Sequence, residues 1–290
     1  MRLTARVPAT SANLGSGFDC FGLALDLWNE VTIDTDAEPA VTWEGEGANE
    51  LPVDGSDMVS RAIGHAVRAS GAPQIPGALH GVNRIPLERG LGSSAAACVA
   101  GIALADVLLS LKLEHDEMLE LAAEIEGHPD NAAAAIAGGF TLAFGDGVIR
   151  LDPHPGLRPV ALIPTEIRLS TAQARDALPD QVSRADAVFN AGHAAATVVA
   201  MTSEPSLLPR ALGDRLHEAA RLALVPTVKA VFDGLQSTGV PVCVSGAGPA
   251  LLAFESEGVE VVEPGEGWRV LRLGVASTGV EVGEASRRDL

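Results

Sequence analysis

The hydrophobic and polar positions of this chain follow two periods, and the two kinds of segment are mixed without regular alternation. Period-two alternation, or a short apolar run bounded by turn residues, predicts strands. These strands cover residues 2–7, 21–35, 41–44, 78–85, 140–144, 148–152, 160–163, 240–244, 250–254 and 268–274. Apolar positions recurring every three or four residues predict helices at 56–70, 95–111, 116–127, 130–137, 171–178, 185–202 and 210–236. Irregular mixing favours an α+β fold over a doubly wound parallel sheet.

Two features of this pattern bear on the domain organisation. Residues 95–111 are apolar on almost every side, which predicts a buried central helix because no polar face can turn to water. Residues 153–159 are rich in Pro, Gly and His, a composition typical of a linker. We therefore expect an N-terminal domain over residues 1–155 and a C-terminal domain over residues 156–290.

The charge balance and the cysteines narrow the function classes. The formal net charge is −18 over 290 residues. Such a surface repels phosphate backbones, so we expect no nucleic-acid partner. Three widely spaced cysteines indicate a reduced compartment rather than a disulfide framework. No apolar run reaches the ~18 residues of a membrane span, and the N-terminus lacks the apolar core of a signal peptide. We therefore expect a cytoplasmic protein without a membrane partner.

The segment Pro86–Ala96, with the sequence PLERGLGSSAA, is the first candidate for chemistry. Gly90 and Gly92 allow close approach of the backbone, and Ser93 and Ser94 lie beside the start of the predicted helix. Free N–H groups and the positive end of the helix dipole favour an anion there. A serine hydroxyl can also reach a Mg²⁺ ion that bridges phosphates. The pattern predicts a phosphate-binding loop, although a glycine turn with a serine cap uses the same letters.

A dinucleotide-binding fingerprint fits the same segment, because Gly90, Gly92 and Ala95 match the spacing GxGxxG/A. That fingerprint directly follows a hydrophobic strand and precedes an acidic residue at a second strand end. Here residues 86–89 are Pro-Leu-Glu-Arg, and the nearest downstream acidic residue, Asp106, lies inside the predicted helix. The context therefore disfavours an NAD-dependent oxidoreductase, and no Walker A motif is present.

Two further glycine-containing loops follow predicted strands. Residues 8–19 have the sequence PATSANLGSGFD and hold Asn13 and Asp19 beside two glycines, which is dense for a plain turn. Residues 245–249 have the sequence SGAGP between two apolar strands, where glycines mark a bulge or a close backbone approach. Each loop alone is also compatible with an ordinary turn.

An acidic helix supplies the remaining candidates. Glu124 and His128 are four residues apart and therefore share one helix face. Glu124 can complete a Mg²⁺ site with a loop serine, with Glu120 and Glu126 as local competitors. A single acidic residue on a surface helix is more often simply solvated.

The three loops together resemble, in order and spacing, the three signature motifs of the GHMP kinases. Residues 8–19, 86–96 and 245–249 are similar to the versions in homoserine kinases, and the first motif is the most family-specific. The resemblance spans nearly the whole chain. It implies an N-terminal domain of the ribosomal-protein-S5-domain-2-like type and a C-terminal ferredoxin-like domain. It also implies ATP and Mg²⁺ as cofactors, with the nucleotide between the second and third loops.

The resemblance further implies roles for individual residues. ATP binding falls to Pro86, Leu87, Glu88, Arg89, Gly90, Leu91, Gly92, Ser93, Ser94, Ala95, Ala96, Gly246 and Gly248. Metal binding falls to Ser94 and Glu124. Substrate binding falls to Asn13, Asp19, His128, Asn131, Thr171, Arg175 and Arg221, with Asp19 near the amine or hydroxyl. Catalytic roles fall to Asp19, Asp130 and Asn131, where Asp130 matches the aspartate base of mevalonate-kinase-like relatives.

The reaction implied is phosphorylation of the side-chain hydroxyl of L-homoserine by ATP, a step of threonine biosynthesis. Arg175 and Arg221 suit an amino-acid carboxylate, because a guanidinium is permanently charged and offers parallel N–H donors. Another GHMP kinase, acting on mevalonate, shikimate or a sugar, and a non-catalytic binding protein of the same fold are the alternatives. Ser16, where the family usually has proline, departs from the pattern without removing a charged group. Relatives are often dimers, so a homodimer is a further expectation.

Overall fold

The computed structural model describes residues 1–145 and 147–285, which form two β-sheets with helices packed against them. Within these residues the strands are β1 Arg2–Ala12, β2 Phe21–Asp34, β3 Ala40–Gly45, β4 Ala78–Asn83, β5 Phe140–Phe144, β6 Gly147–Leu151, β7 Arg158–Pro164, β8 Val242–Val244, β9 Leu251–Glu255, β10 Trp268–Arg272 and β11 Glu281–Glu284. The α-helices of the same residues are α1 Met58–Ser70, α2 Ser93–Leu109, α3 His115–Glu126, α4 Asp130–Ala137, α5 Thr171–Asp176, α6 Arg184–Thr202, α7 Leu208–Ala211, α8 Glu218–Leu224 and α9 Pro226–Ser237. None of these helices is long and apolar enough to cross a membrane. The predicted α+β class is confirmed.

In the part of the chain that the structure describes, the first sheet has seven strands, built around the long antiparallel pair β1 and β2. β1 continues through Ala12, although the sequence predicts an end at residue 7. The register shifts between Pro8 and Ala9, and such a bulge tolerates a residue that has no N–H to donate. The extended strand carries Thr10 and Ser11 into the sheet and toward the site, whereas the sequence pattern predicts a loop there.

Helix α2 is the buried central helix that the apolar run predicts. Ten of its seventeen residues are buried. It begins after Gly92, whose φ is 69°, and no side chain of the described residues caps its first N–H groups. These N–H groups are therefore available to a ligand. The neighbouring helix α1 is capped conventionally, since the Asp57 carboxylate accepts a hydrogen bond from Ser60 N at 2.9 Å.

The second sheet, over the same described residues, has four antiparallel strands in the order β10–β7–β9–β8. Leu162, Phe232 and Leu251 belong to its separate apolar core. The prediction of one long helix over residues 210–236 is wrong, because the chain forms α7, α8 and α9 instead. Pro226 is the first residue of α9 and lacks the N–H that would continue α8. The short helix α8 that results carries Arg221.

The last strand, β11, lies in the first sheet, although it is distant from that sheet in sequence. It pairs antiparallel with β1, and Val275 forms an isolated bridge with Leu25 of β2. The predicted boundary after residue 155 falls between β6 of the first sheet and β7 of the second sheet. Because β11 returns to the first sheet, the division of the chain into two domains remains a prediction. Residues 286–290 of the predicted C-terminal domain lie outside the described residues.

Candidate active site

The three glycine loops predicted to act together meet at one place. Gly246 N donates a hydrogen bond to the carbonyl oxygen of Ala12 at 3.1 Å, which joins the third loop to the end of β1. Ser245 Oγ lies 2.6 Å from the carbonyl oxygen of Gly90 and donates to it, which joins the third loop to the second. Motifs that lie more than 150 residues apart in the chain therefore form one surface.

Gly90 and Gly92 are required by these loop contacts. A Cβ on Gly90 would lie 2.1 Å from the carbonyl oxygen of Ser245, and one on Gly92 would lie 2.0 Å from Thr10 Oγ1. Their φ angles are 75° and 69°, in the left-handed region that glycine adopts without strain. Residues 84–92 separate β4 from α2, so the loop does not directly follow a strand, unlike the dinucleotide fingerprint.

A cavity of about 280 Å³, here called the phosphate cavity, opens at the start of α2. Its lining residues are Pro86, Glu88, Arg89, Gly90, Leu91, Gly92, Ser93, Ser94, Ala95, Glu126, His128, Asn131, Leu169, Ser170, Thr171, Gly246, Ala247 and Gly248. Two predicted loop residues lie elsewhere, since Leu87 lines the adjoining cavities and Ala96 is buried in α2. Uncapped helical N–H groups beside glycine backbone favour bound phosphate.

A second cavity, of about 360 Å³, adjoins the phosphate cavity at Glu88, Ser93 and Ser94. The apolar side chains of Trp43 and Leu87 are part of its lining. Sequence reasoning did not link Trp43, on β3, with the phosphate loop, because only the parallel pairing of β3 with β4 brings that strand near. An apolar cavity continuous with a phosphate site has the form of a nucleoside pocket.

The acidic partner of Ser94 is Glu126, which corrects the expectation that Glu124 fills this place. Ser94 Oγ donates a hydrogen bond to Glu126 Oε1 at 2.7 Å. Glu124 Oε2 lies instead 2.7 Å from His65 Nε2, beside a different cavity. Two steps along a helix turn a side chain by about 200°, so positions 124 and 126 face different surroundings.

Ser94 and Glu126 fit a Mg²⁺ ion by their chemistry. Hydroxyl and carboxylate oxygens are the hard ligands that Mg²⁺ prefers, and Mg²⁺ usually takes only one or two protein ligands when a substrate supplies phosphates. Over residues 1–145 and 147–285, no group of three or more His, Cys, Asp or Glu is arranged to hold a metal ion.

Asp19 and Arg175 form an ion pair with two hydrogen bonds. Arg175 Nη1 donates to Asp19 Oδ2 at 3.0 Å, and Arg175 Nη2 donates to Asp19 Oδ1 at 2.8 Å. The hydrogen bond to Asp19 raises the pKa of Arg175 above its ordinary value. The loop is held by Asn13, whose Oδ1 accepts from Asp19 N at 3.0 Å and whose Nδ2 donates to the carbonyl oxygen of Gly246 at 2.7 Å.

Arg221 is buried, with only 2% of its surface exposed. Its Nη1 donates to the carbonyl oxygen of Gly246 at 2.8 Å, and burial lowers the pKa of the guanidinium. Its buried Nε has no hydrogen-bond partner in the described part of the chain, where Ser16 Oγ is the one other buried side-chain atom in that state. An unpaired buried donor is costly, which favours a ligand that accepts from it.

Phe18 lies between the two arginines. Its ring centroid is 5.8 Å from Arg175 Cζ and 5.2 Å from Arg221 Cζ. Both cations are attracted to the negative ring face, which offsets part of their mutual repulsion. Sequence reasoning missed this residue, although its place between Gly17 and Asp19 in the first motif was the available signal.

Two buried residues before Arg221 were also missed. His217 Nε2 donates to the carbonyl oxygen of Gly15 at 2.8 Å, which leaves His217 Nδ1 to accept from Arg221 Nη1 at 3.1 Å. Burial lowers the pKa of His217 to about 4, so the ring is neutral at pH 7. Glu218 accepts from Val244 N at 2.7 Å, and burial raises its pKa to about 8. The i, i+4 spacing of His217 and Arg221 was a signal in the sequence.

Asp130 is buried at the start of α4, between two other predicted site residues. Its Oδ1 lies 3.1 Å from His128 Nδ1 and accepts from Asn131 N at 2.8 Å. The hydrogen bond to Asp130 raises the pKa of His128. Asn131 Oδ1 accepts from Thr10 Oγ1 at 2.9 Å, which ties α4 to β1. Thr171 is exposed and lines the phosphate cavity from α5.

Comparison with known proteins agrees with this geometry. Residues 57–139 match the family model of the GHMP kinases N terminal domain. Homoserine kinase of Rhodococcus erythropolis is 43% identical over 303 aligned positions, covering 97% of this chain and 96% of that protein. Homoserine kinase of Cutibacterium acnes is 45% identical over 261 positions, covering 87% and 88%. The crystal structure of homoserine kinase from Cytophaga hutchinsonii matches with a TM-score of 0.81 at 27% identity, over 97% of each chain. The chain therefore belongs to the homoserine kinase family and has the α+β GHMP kinase fold.

Proposed function

We propose that this protein transfers the γ-phosphoryl group of ATP to the side-chain hydroxyl of L-homoserine and so forms O-phospho-L-homoserine for threonine biosynthesis. The observation that carries the proposal is the cluster of Asp19, Arg175 and Arg221 beside the phosphate cavity, to which Gly246 connects it. A zwitterion at this cluster and a nucleoside triphosphate in the phosphate cavity can therefore bind side by side. The relatives named homoserine kinase support the same substrate.

ATP is proposed to span the two adjoining cavities. Its phosphates would accept hydrogen bonds from the uncapped N–H groups at the start of α2, which the helix dipole reinforces. Its adenosine would occupy the larger cavity, where Trp43 and Leu87 offer apolar surface. The shared residues Ser93 and Ser94 lie where the two parts of the nucleotide join.

Mg²⁺ is proposed to bind between Ser94 and Glu126, in place of the hydrogen bond that now joins them. Bound there, the ion would neutralise charge on the β- and γ-phosphates. The contact of Glu124 with His65, on another side of the helix, favours Glu126 over Glu124 for this role. The ion would also reduce the repulsion between the nucleotide and the chain, whose net charge is −18.

The amino acid is proposed to bind at the two arginines. Arg175 and Arg221 would take its carboxylate, since the Nε of Arg221 is a buried donor without a partner in the described part of the chain. Asp19 would take its ammonium group or hydroxyl. Asn13, His128, Asn131 and Thr171 would line the pocket. Of these, His128, Asn131 and Thr171 already line the phosphate cavity, and Asn13 bonds to Gly246 of its wall.

Catalysis is proposed to rest mainly on positioning and charge. Phosphoryl transfer needs little covalent help from a protein once the hydroxyl lies in line with the γ-phosphorus. Asp130 is proposed to accept the hydroxyl proton, with Asn131 and Asp19 holding the substrate. The hydrogen bonds from His128 and Asn131 to Asp130 Oδ1 keep this carboxylate oriented.

A coupled ADP-release assay with L-homoserine, mevalonate, shikimate and galactose tests the proposal. We expect Mg·ATP turnover with L-homoserine well above that with the other three. Turnover with one of the others alone would assign a different GHMP kinase activity, and no turnover with any would favour the non-catalytic alternative. NAD-linked hydride transfer would contradict the proposal entirely.

Two further expectations accompany the function. The cysteines Cys20, Cys98 and Cys243 are free thiols, which supports a reducing compartment such as the cytoplasm. A homodimer remains a prediction, and analytical ultracentrifugation of the whole chain measures it directly.

A further inference from the structure

Two residues proposed to bind opposite ends of one substrate are bound to each other. Arg175 and Asp19 share two hydrogen bonds of 2.8 and 3.0 Å, so each side chain already neutralises the charge of the other. Their side chains are 36% and 35% exposed, so a ligand can reach the pair and water screens it only in part. This inference rests on the proposed function and concerns how the same site selects its substrate.

We propose that Asp19 is a specificity-determining residue because it competes with the ligand's carboxylate for Arg175. A ligand that displaces Asp19 from Arg175 leaves the Asp19 carboxylate without a partner unless it also brings a cation. An α-amino acid brings both charges, so its carboxylate replaces Asp19 on Arg175 and its ammonium group pairs with the freed Asp19. The exchange then leaves no charge unpaired.

A ligand with one charge completes only half of this exchange. A hydroxy acid pairs with Arg175 but strands Asp19, and an amino alcohol pairs with Asp19 but strands Arg175. An unpaired charge in a partly desolvated site is unfavourable. The site therefore discriminates by weakening the binding of the wrong ligand.

The surroundings permit the exchange while holding the partners in place. Asp19 N is fixed by the Asn13 side chain at 3.0 Å, so the backbone can stay while the carboxylate turns. Arg175 lies in the last turn of the six-residue helix α5. The Phe18 ring lies 5.8 Å from Arg175 Cζ and attracts the guanidinium independently of Asp19. The ring retains the guanidinium when its carboxylate partner changes.

The test compares three ligands that differ in which charged groups they carry. They are L-homoserine, 4-hydroxybutanoate, which lacks the ammonium group, and 3-aminopropan-1-ol, which lacks the carboxylate. Dissociation constants are measured by NMR titration of the full chain in the absence of ATP, so that no ligand is phosphorylated. Asp19→Asn is the variant of choice, because asparagine tolerates the φ of 56° at this position and removes the charge while keeping the size of the side chain and one acceptor oxygen.

The variant should move the two affinities in opposite directions. In Asp19→Asn, 4-hydroxybutanoate should bind about fivefold more tightly, because its carboxylate no longer displaces a charged competitor. L-homoserine should bind about tenfold more weakly, because its ammonium group loses a charged partner. The matched control is Asp176→Asn, which removes an exposed carboxylate from the neighbouring position and should leave both constants unchanged.

The reciprocal variant gives an independent measurement. Arg175→Gln frees Asp19 from its partner, so 3-aminopropan-1-ol should bind about fivefold more tightly than to the unmodified protein. This arm decides the matter alone if Asp19→Asn does not fold.

An unchanged or weaker affinity of Asp19→Asn for 4-hydroxybutanoate overturns the proposal. So does an equal tightening in Asp176→Asn, since the effect would then be one of net charge. These outcomes are separate from a failure of the proposed function, which would appear as absent phosphorylation of L-homoserine by the unmodified protein.

Discussion

Ser94 on α2 and Glu126 on α3 are joined by a hydrogen bond of 2.7 Å across 32 residues of sequence. The contact brings the second glycine loop and the end of the acidic helix together at the phosphate cavity. Glu124, only two residues earlier, is bonded to His65 on α1 instead. The choice of Glu126 over Glu124 as metal ligand therefore depends on which face of α3 each residue occupies, and substitutions at the two positions can test it.

Glu126→Gln should reduce turnover far more than Glu124→Gln. The amide keeps the size of the side chain but loses the charge that Mg²⁺ binding requires. We expect the Mg²⁺ concentration for half-maximal activity to rise by about tenfold or more in Glu126→Gln, as for ligands and their supports at other metal sites. Mg²⁺ titration of ADP release measures this. Equal effects of the two variants would contradict the assignment.

Arg221→Lys should raise the KM for L-homoserine by about tenfold or more, because the ammonium group of lysine lacks the planar array of donors. The KM for ATP should stay within about twofold, since the lost contact belongs to uniform binding of the amino acid. Initial-rate measurements with each substrate varied in turn separate the two constants. The exposed Arg210→Lys serves as a control, and a parallel rise in both KM values would argue for general distortion.

Asp130→Asn should lower kcat by about 10² or more if the carboxylate accepts the hydroxyl proton. Asparagine retains an oxygen for the hydrogen bonds from His128 and Asn131, so the local geometry is preserved. Single-turnover rates with saturating Mg·ATP and L-homoserine report the chemical step. Near-normal turnover would restrict Asp130 to positioning His128 and Asn131.

Glu218 should make the protein less stable as the pH rises. Burial raises its pKa from 4.5 to about 8, so between these values the folded state binds a proton that the unfolded state has lost. The contribution of this group to stability is full below about pH 4.5 and is lost as the pH rises through 8. Glu218→Gln keeps an acceptor for Val244 N without titrating.

The melting temperature of Glu218→Gln should accordingly fall less between pH 6 and pH 9 than that of the unmodified protein. Differential scanning calorimetry at several pH values measures the two slopes. The exposed Glu257→Gln removes a carboxylate without changing a buried group, so its slope should match that of the unmodified protein. Identical slopes for Glu218→Gln would contradict the raised pKa.

Local sequence chemistry was sufficient to predict several elements. The apolar run around Ile102 specified a buried helix, because no side of it can face water without exposing hydrocarbon. Gly90 and Gly92 stood out because few other residues adopt a positive φ without strain. The loop sequences, by their resemblance to known kinase motifs, also indicated the family. The ends of elements depended on more than the local pattern, since β1 continues past the bulge at Pro8.

Other features depended on contacts that the linear pattern does not contain. The pairing of β11 with β1 and the choice of Glu126 over Glu124 are set by which elements pack together in space. The roles of Phe18 and His217 follow from their positions against Arg221, which lies far from Phe18 in the chain.

The sequence by itself thus determined the types of group available to the site: a glycine loop before a helix, two arginines and several carboxylates. Only the tertiary structure decided which charge meets which. Asp19 and Arg175 are 156 residues apart, and their pairing exists because α5 packs near the first loop. Side-chain type is a local property, whereas the partner of a charge depends on the distance and burial that the whole fold imposes.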